Sequence, residues 1–504
     1  MKLSILAGVL SGALLVLSLP KPDLYPLAWI ALVPFLVAIT RQPNLSRTAL
    51  VCYAAGLVFF AGTFYWIAET MVIYGNLALP LALGVGALFV IVYALWFVLF
   101  GLGVHFFVRK FGPRGLLLAA PLWVTVELLR AHFFFSGFPW MLSGYALVPY
   151  AGILQTVTWT GIYGLSFIAT AVNSAIAWGI LHRSKAWLGG AAAAIGICWF
   201  LPIIGETRPR DPIAVRLVQT NIPLDQPWQK PAAGELLDEL AVLSTRDDAK
   251  PQLVVWPETP APFYLKEDPD FRSRMQQIAR KLRAYFLVGY IDAIGEDPSN
   301  SAALLSPSGG LLSRYDKMHL VPFGEYIPLK NLLFFAESLT RQVGNFAAGT
   351  EYVISAVDEH HISTAICYES IFPDLMRQFV KQGSELLVII TNDGWFGESS
   401  APFQHLRMGV VRAVENRRYM VRTANTGISA IIDPYGRIVS STPIGVRTVL
   451  DGTAYFRIDR TFYTQYGDIF AYANVLGVVA ALTVAAVSDR RRFSKERTHV
   501  RRTH

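Results

Sequence analysis

Charge is scarce in this sequence. Lys, Arg, Asp and Glu together make up 16% of the 504 residues, against about 25% in a soluble globular chain. Such a shortage excludes a protein that lives wholly in water. Cysteine is scarcer still: Cys52, Cys198 and Cys367 are the whole set, which excludes a disulfide framework. Cys52 and Cys198 lie inside apolar runs, where a cysteine behaves as a small buried hydrophobe. Cys367 is therefore the one thiol in the polar part of the chain. Heptads, low-complexity linkers and internal repeats beyond the apolar runs are missing as well. So is a set of His, Cys and carboxylates spaced to hold a metal. His360-His361 reads as a loop pair, and neither a metal nor a cofactor is expected. The pI of about 9.3 does not imply nucleic acid, because much of the basic excess sits in a tail, at Arg490, Arg491, Arg492, Arg501 and Arg502.

Apolar side chains are plentiful instead. Hydrophobic residues are 53% and mean hydropathy is +0.40. Apolar runs fall at roughly 3–19, 24–40, 49–68, 79–107, 115–131, 158–181, 187–204 and 469–488. A span needs about 20 apolar residues, so eight spans are expected. The 79–107 run exceeds that length and implies tilt or extension beyond the bilayer. The first run has a signal peptide as its rival reading, weakened because Leu17-Ser18-Leu19-Pro20 leads directly into further apolar sequence. Arg41 and Arg47, then Arg109, Lys110 and Arg114, then Arg183 and Lys185 mark alternate loops on one side. The Arg490-Arg491-Arg492 tail joins them. By the positive-inside rule that side is the cytoplasm. This divides the chain into 1–204 with seven spans, an extramembrane domain at 205–468 on the far side, a last span at 469–488 and a basic cytoplasmic tail at 489–504. The outer loop Phe133-Phe134-Phe135-Ser136-Gly137-Phe138-Pro139-Trp140 reads as an aromatic interface belt or as a surface that admits lipid.

Between about 210 and 460 the pattern changes to short β-type runs alternating with amphipathic stretches. Strands are expected at 214–220, 253–256, 285–290, 302–306, 363–367, 386–391, 419–423, 429–433 and 453–458. Helices are expected at 233–246, 269–283, 371–382 and 402–417. Such alternation predicts an α/β domain built on packed sheets.

Three strand ends in this domain carry reactive groups. The run Ser363-Thr364-Ala365-Ile366 delivers Cys367 to a polar turn before a helix. Cys367 is either a core cysteine or a nucleophile whose thiolate is favoured by the nearby helix N-terminus. Glu258, after Trp256-Pro257, is a solvated strand-end charge or a buried general base. Lys317, in Tyr315-Asp316-Lys317-Met318-His319-Leu320, is a loop lysine or an ammonium that holds an oxyanion. His319 has a structural role by default, and Gln404-His405-Leu406-Arg407 opens a helix with an interior or surface role. The apolar stretch from Asn331 to Phe346 is a lid or packs on its own domain.

Taken together, Trp256-Pro257-Glu258, the stretch from Tyr315 to Glu325, Ile366-Cys367-Tyr368-Glu369 and Thr391-Asn392-Asp393-Gly394-Trp395-Phe396-Gly397 resemble the nitrilase superfamily of carbon–nitrogen hydrolases. The spans and Gly137-Phe138-Pro139-Trp140 extend the likeness over the whole chain, which resembles the membrane-embedded apolipoprotein N-acyltransferase family. The resemblance implies an αββα sandwich beside an α-helical membrane bundle. It implies Cys367 as nucleophile, Glu258 as general base and Lys317 as stabiliser of the tetrahedral intermediate. It also implies Glu325 as a supporting glutamate, Tyr368 and Glu369 lining the site, and Trp228 and Trp395 near the acyl path. The reaction implied is acyl transfer from phosphatidylethanolamine, through a thioester, to the α-amine of a diacylglyceryl-cysteine at a lipoprotein's N-terminus. The implied setting is the bacterial inner membrane, the catalytic domain facing the periplasm, with a monomer as the default state. A membrane-tethered amidase using water, and a scaffold or transporter without catalysis, are the competing readings.

Overall fold

The computed structural model describes residues 1–73, 77–133, 137–223, 230–246, 249–260, 268–326 and 345–500. All eight expected apolar runs are helical, but they are not eight uniform spans. Leu45–Phe64, the stretch Leu79–His132, Ile162–His182 and Ile469–Ser488 are long and apolar enough to cross a membrane, whereas Lys2–Ser18, Tyr25–Thr40 and Lys185–Phe200 are shorter apolar helices. The second run is broken. A 3₁₀ turn at Tyr25–Trp29 precedes the helix Val33–Thr40, and each piece has a proline in its first positions. Proline lacks an N–H and starts a helix more readily than it continues one. The long fourth run resolves its excess length as two helices, Leu79–Tyr93 and Leu95–Phe111, meeting at Ala94. In Leu79–Tyr93 only Ala82 is fully buried, Phe89, Val90 and Tyr93 pack partly on the bundle, and most of the other apolar side chains of that helix face outward. Such a surface is stable in lipid.

The first helix is part of the bundle. Gly8 and Gly12 lie against the helix Leu45–Phe64 so closely that a Cβ on either would fall 2.5 Å from the carbonyl oxygens of Val51 and Ala55. Small residues permit this approach, which is how apolar helices gain contact in lipid. Ser11 Oγ accepts a hydrogen bond from the Phe35 N–H, tying the broken second segment to it.

The α/β half contains twelve strands among the described residues: β1 (Pro212–Gln219), β2 (Leu253–Val255), β3 (Tyr285–Ile294), β4 (Asp297–Leu305), β5 (Leu311–Asp316), β6 (Ile354–Val357), β7 (His360–Ile366), β8 (Leu386–Thr391), β9 (Tyr419–Ala424), β10 (Ala430–Ile432), β11 (Ile438–Ser441) and β12 (Thr448–Tyr455). They form two six-stranded sheets in the orders β12-β1-β2-β3-β4-β5 and β11-β10-β9-β8-β7-β6. The central pairs β1–β2–β3 and β7–β8–β9 are parallel and the outer pairs antiparallel. Side chains alternate across each strand. Leu253 and Val255 point into the core shared with the second sheet, while Val254 and Trp256 pack with Phe271, Met275 and Leu240 of the outer helices Pro269–Leu282 and Lys230–Ser244. This is the expected αββα sandwich.

On the second sheet lie the helices Pro373–Lys381 and Ala401–Asn416. The latter departs from the amphipathic pattern of a surface helix. All of its residues but Phe403 and Arg407 are buried, because the membrane helices cover the face that the sheet leaves free. Glu415 accepts a hydrogen bond from the Ile162 N–H (2.9 Å), Arg407 pairs with Asp23 (2.7 Å) and Gln404 donates to the Pro20 carbonyl (3.1 Å).

Candidate active site

Each reactive group sits just past the end of a strand. Glu258 follows β2, Lys317 follows β5 and Cys367 follows β7. The first two strands belong to one sheet and the third to the other, so stacking the sheets brings the three groups to one place. Glu258, Lys317 and Cys367 are 6%, 1% and 5% exposed.

Lys317 Nζ donates to Glu325 Oε1 (2.8 Å) and to Glu258 Oε1 (3.2 Å). Burial alone would push its pKa down, but the two carboxylates outweigh burial and hold the ammonium above the usual lysine range. The lysine is therefore charged at rest. Glu258 Oε2 accepts from the Asn392 N–H (2.9 Å), which belongs to the opposite sheet's strand ends. Asn300, on β4, was not singled out from the sequence. Its Nδ2 bridges the carboxylates, 2.7 Å from Glu258 and 2.8 Å from Glu325. The strand expected at 302–306 starts beyond Asn300, because β4 begins earlier, at Asp297, and nothing local marks that residue as the inward bridge.

Cys367 adopts φ +52°. That left-handed conformation is uncommon for a residue with a Cβ and turns the chain sharply. The 3₁₀ turn Cys367–Ile371 follows at once. The expectation of a thiolate at rest is reversed. Burial, followed by the field of Glu258, pushes the thiol well above its ordinary range, and Lys317 offsets this only in part. One short turn cannot outweigh a buried carboxylate. Cys367 therefore rests as a neutral thiol, and a base would have to take its proton before the sulfur could react.

Glu369 does not line an open site. It is fully buried and clamps two loops together. Its Oε1 accepts from Tyr315 Oη (2.7 Å) and the Met318 N–H (2.7 Å), its Oε2 from the Ile366 N–H (2.7 Å). The lysine loop and the cysteine strand are thus fixed to one carboxylate. Burial pushes its pKa up to about 7, against the donors that favour its charge.

Tyr368 is 8% exposed. Its ring lies 6.4 Å from Phe138, which in turn meets Phe64, Phe89 and Tyr93 of the membrane helices. An aromatic wall therefore runs from those helices to the residue after Cys367. The outer-loop Trp140 is not a surface belt residue. It is 1% exposed, with its ring against Trp66 and Phe396 and its Nε1 donating to Gln404 Oε1 at 2.7 Å. Trp395 is 44% exposed in the turn Asp393–Phe396, where its carbonyl accepts from Thr70 Oγ1. Trp228 and most of the 331–346 stretch lie outside the described residues; Phe346 donates its N–H to the Glu325 carbonyl. His360 and His361 both face Glu385 (2.6 and 3.3 Å), and among the described residues no group of three or more possible metal ligands gathers.

Residues 11–175 match the family model for the apolipoprotein N-acyltransferase N-terminal domain, and residues 214–466 match that for carbon-nitrogen hydrolases. The apolipoprotein N-acyltransferase of Geobacter metallireducens is 40% identical, over 97% of this chain and 95% of its own length. That of Methylococcus capsulatus is 34% identical over 88% of each chain. Among solved structures, a nitrilase-superfamily amidase from Nesterenkonia is 20% identical, covers 52% of this chain and 95% of its own, and gives a TM-score of 0.39. The chain thus belongs to the apolipoprotein N-acyltransferase family, as a membrane N-acyltransferase with a carbon–nitrogen hydrolase domain.

Proposed function

We propose that this enzyme takes an acyl chain from a phospholipid onto Cys367 and passes it to the α-amine of a diacylglyceryl-cysteine at a lipoprotein's N-terminus. The observation that carries the reading is a buried thiol facing a carboxylate and a charged lysine at the end of an aromatic wall rooted in the membrane helices. Glu258 takes the Cys367 proton as sulfur attacks the ester carbonyl. A C–S bond forms, and Lys317 holds the oxyanion. The ester C–O bond then breaks, and Glu258 returns the proton to the departing lysophospholipid oxygen. In the second half the lipoprotein amine attacks the thioester, the C–N bond forms, the C–S bond breaks and the amine's proton restores the thiol through Glu258. Splitting one transfer in two lets donor and acceptor share a single site in turn.

Phosphatidylethanolamine is the donor we assign. Glu325 supports Lys317, Tyr368 borders the acyl path and Glu369 braces the two loops. The extramembrane part comprises about 205–468. The α/β half packs on chain segments near Pro20, Tyr65, Thr70, Trp140 and Gln155, which alternate along the sequence with the basic loops at 41–47, 109–114 and 183–185. Under the positive-inside rule this arrangement supports a catalytic half on the periplasmic face of the inner membrane. A monomer suffices, since all three reactive groups come from one chain.

The test is incubation of the purified protein with a phospholipid labelled in its acyl chain. A hydroxylamine-sensitive adduct is expected in the parent and not in Cys367→Ala. An adduct that persists in Cys367→Ala overturns the nucleophile. Release of free fatty acid without transfer, when a diacylglyceryl peptide is supplied, overturns the acyltransferase reading in favour of hydrolysis.

A further inference from the structure

His405 lies in the Gln404-His405-Leu406-Arg407 stretch, which the chemistry above does not use. It is 0% exposed and its Nε2 is 3.1 Å from the carbonyl oxygen of Cys367 and 2.7 Å from Ser370 Oγ. Ser370 Oγ itself donates to the same Cys367 carbonyl at 2.9 Å. On the other side of the ring, Nδ1 is 2.9 Å from Asp393 Oδ1. Arg422 Nη2 lies 2.6 Å from Asp393 Oδ2 and 3.0 Å from Nδ1. Asp393 and Arg422 are as deeply buried as the histidine. The ring is also covered by Trp140, whose centroid is 5.5 Å away at 29°.

We propose that His405 is a positioning residue for the nucleophile, fixing the peptide that follows Cys367 through Ser370 and the Cys367 carbonyl. The proposal rests on Cys367 being the nucleophile. A fully buried Arg–Asp–His–Ser chain is poorly explained by packing, because apolar side chains would fill the space without the cost of removing charges from water. What a chain of hydrogen bonds supplies is direction. Asp393 is held charged, with Arg422 first among the groups that outweigh its burial, and it anchors the Arg422 guanidinium, whose Nη2 donates to Nδ1 of the neutral ring and so leaves the Nε2–H to donate to the Cys367 carbonyl. The ring and Ser370 fix the Cys367 carbonyl.

That carbonyl belongs to a planar trans peptide, so its N–H partner, on Tyr368, points the opposite way. Tyr368 is the second residue of the 3₁₀ turn, and the first N–H groups of a helical turn have no partner within it. Anchoring the carbonyl therefore aims the Tyr368 N–H. It also holds Cys367 in its left-handed conformation, which an unanchored residue would leave readily. Both the sulfur and an N–H donor for the oxyanion depend on that one peptide plane. Trp140 comes from the loop between membrane helices, so the same ring also joins the nucleophile's turn to the membrane part.

The experiment is single-turnover acylation of the full-length protein in detergent, with a labelled phospholipid. It yields a burst amplitude, which counts competent sites, and a rate constant, which reports their geometry. His405→Leu is expected to lower the rate constant about 100-fold, the scale of an ångström of misplacement, with amplitude and lipid KM little changed. His405→Gln, which retains a polar group near the carbonyl, is expected to recover part of the loss. Ser370→Ala is the milder variant should His405→Leu not fold, with an expected loss of about tenfold. A rate constant within about twofold of the parent in the folded variants, with any lost activity appearing as lower amplitude, overturns the proposal and leaves His405 a packing residue. So does a Gln variant no better than Leu. Cys367→Ala is run alongside: an adduct there means that the nucleophile assignment has failed, whatever the His405 variants do.

Discussion

Lys317 is held more closely by Glu325 than by Glu258: its Nζ lies 2.8 Å from the former and 3.2 Å from the latter. The ammonium therefore does not belong to Glu258 alone. Glu325 anchors it, and Asn300 bridges the two carboxylates beside it, so that Glu258 can gain a proton without the lysine losing all its partners. Glu325→Gln removes the anchor's charge while preserving its size and an acceptor oxygen. Acylation in a single turnover is expected to slow by about 100-fold, the usual scale for losing one electrostatic contribution to an oxyanion site. Thermal stability in detergent should change little. An unchanged rate would remove Glu325 from the site's electrostatics.

Gly289 on β3 is where the turn after β2 passes closest to its neighbour. A Cβ there would lie 2.6 Å from the Pro257 carbonyl oxygen and 2.9 Å from the Glu258 Cα. Backbone has to move to admit it. Gly289→Ala is expected to cost about 1–3 kcal/mol of stability and to displace Glu258, so that, with Glu258 as the proposed base, the acylation rate falls more than the melting temperature alone would explain. Gly310→Ala is the control, since its nearest neighbour is Ser306 Oγ at 3.4 Å, and it should leave both measurements close to the parent.

Glu369 sets a pH dependence of stability. Its folded value of about 7 lies above the value of about 4.3 for glutamate in an unfolded chain. A raised folded value means that the group's stabilising contribution is full below about pH 4.3 and is lost as pH rises through about 7. The contribution is about 4 kcal/mol by linkage, as an order of magnitude. Melting temperatures of the parent should fall across this window. Glu369→Gln should flatten that fall, although it weakens the clamp between the lysine loop and the cysteine strand. An identical slope in both proteins would mean that Glu369 stays charged throughout.

Trp140 couples the two halves of the molecule. Its Nε1 is the hydrogen-bond donor to Gln404 Oε1, and Gln404 is 1% exposed. Trp140→Phe keeps an aromatic ring against Trp66, Phe396 and His405 but leaves that oxygen without this donor. A loss of about 1–3 kcal/mol is expected, visible as a lower unfolding midpoint in denaturant. Proteolysis at the junction of the halves should become faster. A midpoint equal to the parent's would show that another donor replaces the indole.

The sequence by itself determined what depends on local pattern. Apolar runs announced the membrane helices, because a segment surrounded by lipid must be apolar along its length. Buried strands β2, β3, β7, β8 and β9 were legible as apolar runs, and the three reactive groups were legible because each stands beside such a run. The strands not recognised, β5, β6 and β11, all lie at sheet edges, and β12, expected at 453–458, also at an edge, begins earlier, at Thr448. Edge strands face water on one side and lack the apolar signature. Tertiary structure alone decided the remainder. Stacking two sheets turned separate strand ends into one site, made Asn300 a bridge and withheld the thiolate from Cys367 by setting Glu258 beside it. Packing the membrane helices on Ala401–Asn416 buried both of its faces, took Trp140 out of the lipid interface and placed it over His405. These partners lie tens to hundreds of residues apart in sequence. Their contact energies arise from the packed arrangement, so no local period could record them.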